Sequence, residues 1–240
     1  MKIIAITQKG INKSENEDRI VVGKSIVAEG TLLTEIDSGV LAVADGVGGN
    51  NAGSVASHFV ANKLCALKEI SAESLAAINE ELLQLSYENT KYNGMATTLS
   101  GILLSQDNAC LFSIGNSRVY LLQSRKYLKQ LTADDTILNY LLTTGQLALA
   151  EAEKFDRKNE ITACFGGGSS SLFIIKISNT ESLSAPILVT SDGIHDYLNV
   201  DQMEDIIGKH GISVAACETM VTAARGSGSL DDISILLGDM

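Results

Sequence analysis

The chain has 240 residues, of which 45% are hydrophobic and 20% charged, and its formal net charge is −11. This size and composition are typical of one globular domain, here residues 1–240, and exclude a disordered chain. The acidic balance disfavours nucleic acid and anionic membranes as partners, because both are bound mainly through basic patches. No apolar stretch forms a signal-peptide core or approaches the ~20 residues of a membrane span, so we expect a cytoplasmic protein. We also expect it to be a monomer.

Short apolar and β-branched segments predict enough strands for two sheets. A turn at residues 115–117 predicts a hairpin between the two strands that flank it, and a second turn at Ser124–Lys126 extends this hairpin into a meander. The predicted strands are Lys2–Thr7, Arg19–Val22, Gly39–Ala44, Thr97–Leu104, Ala109–Ile114, Arg118–Gln123, Tyr127–Gln130, Leu172–Ile177, Ile187–Thr190 and Ile233–Leu237.

Helical periodicity is clearest over Ala72–Tyr92, where apolar residues recur every three or four positions. Further helices are predicted at Gly53–Leu67, after a capping box at Thr132–Asp135, at Val200–Gly208 and at Ser213–Ala224. Strands and helices come in blocks rather than in single alternation, which is typical of antiparallel sheets with helices packed outside. We therefore predict an α+β fold, a four-layer α-β-β-α sandwich of two antiparallel sheets flanked by helices.

Acidic residues follow or precede several of the predicted strands. Asp45 and Asp192 each come directly after a buried-looking strand and before a glycine, so the carboxylate is fixed while the backbone turns away. Further acids lie at residues 15–18 and 231–232. Oxygen ligands at strand ends suit Mg²⁺ or Mn²⁺, although Asp-Gly is also a common turn sequence. The glycines at residues 46–49 match neither common nucleotide-binding pattern, so nucleotide binding is not predicted.

The order and spacing of several short motifs resemble the PPM, or type 2C, family of metal-dependent Ser/Thr phosphatases, and in particular its stand-alone bacterial members. The resemblance covers almost the whole chain, and it implies the same two-sheet sandwich. The motifs are Asn16-Glu17-Asp18, Ala44-Asp45-Gly46-Val47-Gly48-Gly49, Ala96-Thr97-Thr98, residues 114–120, Leu131-Thr132-Ala133-Asp134, Ser191-Asp192-Gly193 and Asp231-Asp232-Ile233-Ser234.

The resemblance also implies a role for each acidic residue. Asp45 would bridge two divalent cations, Mn²⁺ or Mg²⁺, and Asp192 and Asp231 would complete one of the two sites. The Gly46 carbonyl would serve the other site, and Glu17 would hold a metal-bound water. A hydroxide bridging the two metals would then hydrolyse phosphoserine or phosphothreonine in a phosphorylated protein. A cognate Ser/Thr kinase is the expected opposing partner.

The chain departs from the family pattern at four positions. Lys13 stands where the family usually has an arginine that grips the substrate phosphate, which keeps the charge but loses the bidentate fork. Asn116 replaces an aspartate that helps to bind a third metal, so we expect that site to be weakened or absent. Asp232 replaces an asparagine, and Val47 replaces a histidine that some members carry as a general acid.

Other polar residues are predicted to be structural. His58 and His210 are expected to be solvated or packed, and Arg118 is expected to form an ion pair. His195 lies three residues after Asp192, so a role in proton transfer stands beside an ordinary loop role. The widely spaced cysteines, without a Cys-x-x-Cys pair, are expected to be packing residues.

Two alternatives to a general phosphoprotein phosphatase stay open at this point. A pseudophosphatase would bind phosphoprotein without turnover. The changes at Lys13 and Asn116 keep this hypothesis open, and the presence of the complete set of acidic residues counts against it. A phosphatase acting on a sigma-factor regulator would use a related branch of the same fold. Residues 143–170 are predicted to form a variable flap near the active site, with the glycine- and serine-rich run of residues 166–171 inside or beside it.

Overall fold

Two antiparallel sheets stack face to face in the computed structural model, which describes residues 1–47, 52–106, 108–167, 172–181, 183 and 185–239. The first sheet has the strand order β10-β9-β13-β14-β1-β4. Its strands are β1 (Lys2–Gln8), β4 (Gly30–Glu35), β9 (Arg118–Gln123), β10 (Tyr127–Gln130), β13 (Ile187–Thr190) and β14 (Ile233–Asp239).

The second sheet has the order β11-β6-β5-β7-β8-β12, with β2 paired to β5 and β3 paired to β2. Its strands are β2 (Asp18–Val22), β3 (Ser25–Val27), β5 (Gly39–Val47), β6 (Ala96–Thr97), β7 (Leu99–Leu104), β8 (Asn108–Ile114), β11 (Phe165–Gly166) and β12 (Lys176–Glu181).

Helices cover the outer face of each sheet. The α-helices of the described residues are α1 (Ala52–Ala66), α2 (Ala72–Glu88), α3 (Ile137–Thr143), α4 (Asp192–His195), α5 (Val200–His210) and α6 (Val214–Gly226), with short 3₁₀ helices at Thr90–Tyr92 and Leu149–Lys154. Helices α1 and α2 pack on the second sheet, and α4, α5 and α6 pack on the first. No helix among the described residues is long and apolar enough to cross a membrane.

Three apolar clusters hold these layers together, one between the sheets and one under each helical layer. Side chains alternate between the two faces of a strand, so a strand in the middle of a sandwich must be apolar on both. In β5, Leu41 and Val43 face the other sheet, whereas Val40 and Ala42 face α1 and α2. The predicted four-layer α-β-β-α sandwich is confirmed.

The predicted hairpin at residues 115–117 is wrong. β8 pairs with β7 and β12 in the second sheet, whereas β9 pairs with β10 and β13 in the first. Gly115, with a φ of +93°, therefore carries the chain from one sheet to the other. Both flanking strands are apolar on both faces, so the turn signal could not show whether they pair or diverge. The predicted β9–β10 hairpin is confirmed.

The predicted capping box at Thr132–Asp135 is also wrong. Helix α3 is capped instead by Thr136, whose side chain accepts a hydrogen bond from the backbone of Asn139. The Thr132 hydroxyl accepts the Val119 backbone N–H, and the Asp134 carboxylate binds a guanidinium. Both side chains are hydrogen-bonded to residues distant in the sequence, so neither caps the helix.

Some strand predictions need smaller corrections. The strand predicted at Leu172–Ile177 is shifted, since β12 occupies Lys176–Glu181. The short strands β3 and β11 and the edge strand β4 were not predicted. Three cysteines are buried and Cys65 is half-buried, and none forms a disulfide, in agreement with packing roles.

Candidate active site

One end of the second sheet positions Glu17, Asp45 and Gly46. Strand β2 pairs with β5 so that Asp18 lies opposite Asp45, and the Gly46 backbone N–H donates to the Glu17 carbonyl at 3.2 Å. The Thr98 backbone N–H donates to the Asp45 carbonyl at 2.8 Å, and the Thr98 hydroxyl accepts the Asp45 N–H. The Asp45 carboxylate thus projects from a backbone that is bonded on both sides.

The same end of the first sheet carries Asp192 and Asp231. Asp192 begins α4, separated by one residue from the end of β13, and Asp231 comes shortly before β14. Because β13 and β14 are antiparallel neighbours, the end of one lies beside the start of the other. The Arg225 guanidinium fixes the Asp231 loop by donating to the carbonyls of Asp231 at 2.6 Å, Ser229 at 3.0 Å and Lys9 at 3.0 Å.

The carboxylates from the two sheets are close enough to perturb one another. Asp45 keeps partial access to solvent, yet burial raises its pKa well above the usual range, and the charges of Asp18 and Asp192 add to the rise. Burial and the charge of Asp231 raise the pKa of Asp192, which accepts a hydrogen bond from the Asn116 amide at 3.0 Å. Like charges held this close call for a bound cation or shared protons.

Several carboxylate oxygens of the site lack a donor. Oε1 of Glu17 and both carboxylate oxygens of Asp18 are buried with no hydrogen-bond partner among the described residues. Burial and the charge of Asp232 raise the pKa of Asp18 to about 7. Among the described residues, no group of three or more acidic, histidine or cysteine side chains has a geometry that could hold a metal ion. The donor set is nevertheless all oxygen and strongly negative, which fits hard divalent cations.

The ammonium group of Lys13 lies within the carboxylate cluster. Its Nζ lies 2.5 Å from Asp231 Oδ1, 3.0 Å from Asp232 Oδ2 and 3.3 Å from Glu17 Oε2. Asp232 is buried, and it also accepts the backbone N–H groups of Gly10 at 2.7 Å and Glu17 at 2.8 Å. The structure therefore brings the predicted phosphate ligand Lys13 into direct contact with both Glu17 and Asp231.

The sequence did not identify Gly53 as part of the site. A Cβ at this second residue of α1 would lie 2.6 Å from Glu17 Oε1, 2.8 Å from the Gly46 carbonyl carbon and 2.9 Å from the Gly46 oxygen. Reciprocally, a Cβ at Gly46 would lie 2.4 Å from the Gly53 oxygen. The available signal in the sequence was the glycine itself, because a glycine weakens a helix and its presence at the start of α1 indicates a close contact there. Gly48 and Gly49 of the same motif lie outside the described residues.

A polar cavity of about 580 Å³ opens beside the carboxylates. Asn116, Lys158, His195 and Asp196 are among its lining residues. Asn159, from the segment predicted to form a flap, donates from Nδ2 to Asp196 Oδ2 at 2.5 Å. That segment therefore reaches the side of the site, while residues 168–171 of the glycine- and serine-rich run lie outside the described ones.

His195 is packed rather than exposed to a substrate. The residue is 7% exposed, Nδ1 lies 2.8 Å from the Thr190 hydroxyl, and Nε2 is buried without a hydrogen-bond partner among the described residues. Burial, and then the charge of Arg118, lowers the pKa of His195 well below its usual value. Arg118 forms the predicted ion pair, with Asp134 at 2.6 Å. The site geometry favours a structural role for His195.

The buried imidazole predicts a specific pH dependence of stability. At pH values below 6.5, the ordinary pKa of histidine, the unfolded chain binds a proton at His195 that the folded chain excludes. The contribution of His195 to the unfolding free energy therefore decreases as the pH is lowered. From about pH 7.5 to about pH 5.5, the advantage of the wild type over His195→Gln in unfolding free energy should shrink, by at most about 1.4 kcal/mol. Urea unfolding of both proteins at the two pH values measures it. Parallel pH profiles would contradict the assignment.

Comparisons with known proteins identify similar phosphatases over almost the whole chain. The family model for protein phosphatase 2C matches residues 30–222. A serine/threonine phosphatase stp of Listeria monocytogenes is 28% identical over 247 residues, covering 96% of this chain and 92% of that protein. The crystal structure of the serine/threonine phosphatase Stp1 from Staphylococcus aureus has a TM-score of 0.81 at 25% identity, covering 99% of this chain and 94% of that chain.

A further solved structure shares the fold. The catalytic domain of the serine/threonine phosphatase PstP, in complex with two manganese ions, has a TM-score of 0.77 at 24% identity, with 99% and 98% of the two chains covered. The family match confirms the resemblance drawn from the motifs and the prediction of a phosphoprotein phosphatase. The chain belongs to the protein phosphatase 2C family.

Proposed function

We propose that the chain is a metal-dependent protein phosphatase that hydrolyses phosphoserine and phosphothreonine at the carboxylate cluster. The observation that carries the proposal is the convergence of acidic side chains from both sheets at one end of the sandwich, with buried oxygens that lack donors. An apolar or hydrogen-bonded core would be more stable than such a cluster, so its retention points to a bound charge.

Each acidic residue has a separate task in this proposal. Asp45, at the junction of the two sheets, would contact both cations, and Asp192 and Asp231 would hold one of them. The Gly46 carbonyl would hold the other, and Glu17 would hold a water molecule beside it. When bound, two divalent cations lower the pKa of a water molecule and offset the negative charge of phosphoryl oxygens. The two manganese ions in the PstP structure support the proposal of two cations in this chain. The oxygen ligands suit both Mn²⁺ and Mg²⁺.

The remaining polar groups would orient the substrate. Lys13 would contact the substrate phosphate as a single charge rather than a bidentate fork. Asn116 already donates to Asp192 and is uncharged, so it gives a third cation little attraction. The cavity that Lys158 and Asp196 line could accept the polypeptide on one side of the phosphorylated residue. We further infer a phosphorylated protein substrate, an opposing Ser/Thr kinase and a cytoplasmic monomer.

Paired phosphopeptides test the substrate class. The protein should release phosphate from a phosphothreonine peptide with a kcat/KM about tenfold or more above that for the same peptide carrying phosphotyrosine. Phosphate release is measured with each peptide in Mn²⁺ and in Mg²⁺. A preference for phosphotyrosine would contradict the proposed substrate. Tight phosphopeptide binding without release would contradict turnover itself, and the names of the relatives give that pseudophosphatase hypothesis no support.

A further inference from the structure

The ammonium group of Lys13 is held inside the carboxylate cluster rather than pointing freely to solvent. Its three partners are Asp231, Asp232 and Glu17, at distances of 2.5, 3.0 and 3.3 Å, and its side chain is 30% exposed. These distances place one positive ammonium group among three carboxylates, two of which the proposed function assigns to a cation or its water.

The three partners of Lys13 differ in how firmly they are fixed. The Asp232 side chain is 1% exposed, and backbone N–H groups of Gly10 and Glu17 hold both of its oxygens. The Asp231 side chain is 47% exposed, and its Oδ1 accepts the Asp232 backbone N–H at 2.8 Å. Asp232 is thus the anchor of the ammonium, and Asp231 and Glu17 are the partners that must be released before either can bind an ion or its water.

We propose that Lys13 is a tethered counter-cation: its ammonium, anchored by Asp232, neutralises Asp231 and Glu17 in the metal-free protein and competes with divalent cations for them. This inference rests on the proposed function, because it needs the same carboxylates to bind ions. A fixed positive charge within a few ångströms of a cation site weakens cation binding by repulsion and by holding the ligands. The chain would therefore bind metal more weakly than its acidic cluster alone allows.

Removing the charge of Lys13 should tighten metal binding and destabilise the metal-free fold. In the full chain stripped with EDTA and desalted, Lys13→Met should lower the Kd for Mn²⁺ about tenfold or more, as measured by isothermal titration calorimetry. The thermal midpoint in EDTA should fall by about 5 °C, because the carboxylates lose their counter-charge. Lys13→Gln provides the same test if methionine prevents folding.

Two variants separate the charge of Lys13 from other effects. Lys13→Arg keeps the charge and should leave the Kd for Mn²⁺ within about threefold of the wild-type value. Lys63→Met removes a lysine that is ion-paired with Glu81 at the surface. This variant should leave the Kd for Mn²⁺ within about twofold of the wild-type value.

The outcomes distinguish this inference from the proposed function. An unchanged or weaker affinity in both neutral Lys13 variants, in a protein that still releases phosphate with Mn²⁺, would overturn the counter-cation alone. A wild type that neither binds Mn²⁺ nor releases phosphate would overturn the proposed function and the inference with it. A tighter affinity in Lys63→Met equal to that in Lys13→Met would show a general charge effect and would also overturn the inference.

Discussion

Replacing Asp45 with asparagine should reduce metal-dependent phosphate release by about three orders of magnitude or more, while making the metal-free protein more stable. Asparagine keeps the shape of the side chain but removes the charge that would attract both cations. The raised pKa of Asp45 means that its ionised form is unfavourable in the folded protein. A neutral amide relieves this repulsion, so the thermal midpoint in EDTA should rise by about 5 °C.

The opposite signs of these two effects make the Asp45 prediction specific. A substitution that merely damaged the fold would lower both activity and stability. The measurements are kcat/KM with a phosphothreonine peptide at saturating Mn²⁺ and the thermal midpoint in EDTA. Asp37→Asn is the matched control, since Asp37 is exposed before the start of β5, at the other end of the sandwich, and should change kcat/KM less than about twofold. Retention of more than about a tenth of wild-type activity by Asp45→Asn would contradict the assignment.

Replacing Gly53 with alanine should reduce phosphate release about 100-fold or more, even though alanine favours helices. The added methyl group would lie 2.8 and 2.9 Å from the backbone carbon and oxygen of Gly46 and 2.6 Å from a Glu17 oxygen. Backbone atoms cannot yield as a flexible side chain can, so the Gly46 carbonyl and the start of α1 must separate. Both the proposed carbonyl ligand and Glu17 would then be displaced.

A second helical glycine provides the control for Gly53. Gly208 in α5 has no heavy atom within 4 Å of the position that a Cβ would take. Gly208→Ala should therefore keep full activity and gain about 0.5–1 kcal/mol of stability from helix propensity. Mn²⁺ affinity, phosphate release and thermal unfolding of the two variants should be measured together. Wild-type metal affinity and activity in Gly53→Ala would contradict the contact.

The sequence predicts the layers of this fold well because its signals are local. The strands β5 and β13 begin as continuous apolar runs, and Asp-Gly follows each run, inside β5 and, separated by one residue, after β13. Both the burial of the runs and the carboxylates that follow them can therefore be predicted from the sequence. The periodic leucines of α2 identify its buried face in the same way, since Leu75 and Leu82 are fully buried. Asp45 and Asp192 were therefore recognisable before their distance in space was known.

What the sequence could not predict depends on contacts between distant segments. Nothing local to residues 115–117 shows that the next strand joins the other sheet. Arg225 reads as a basic residue at a helix end, yet it binds three carbonyls in two loops. The hydrogen bond from Lys13 to Asp232 connects residues that are 219 positions apart in the sequence. Such roles follow only from the packed structure, where the N-terminal loop meets the start of β14.

The central claim is tested most directly by removing and restoring metal in the wild-type protein. Phosphate release from a phosphothreonine peptide is measured after EDTA treatment and desalting, and again after Mn²⁺ is added. We expect release to fall to about 1% or less in the stripped protein and to return with Mn²⁺. Undiminished release from the stripped protein would contradict a metal-dependent reaction at Asp45, Asp192 and Asp231.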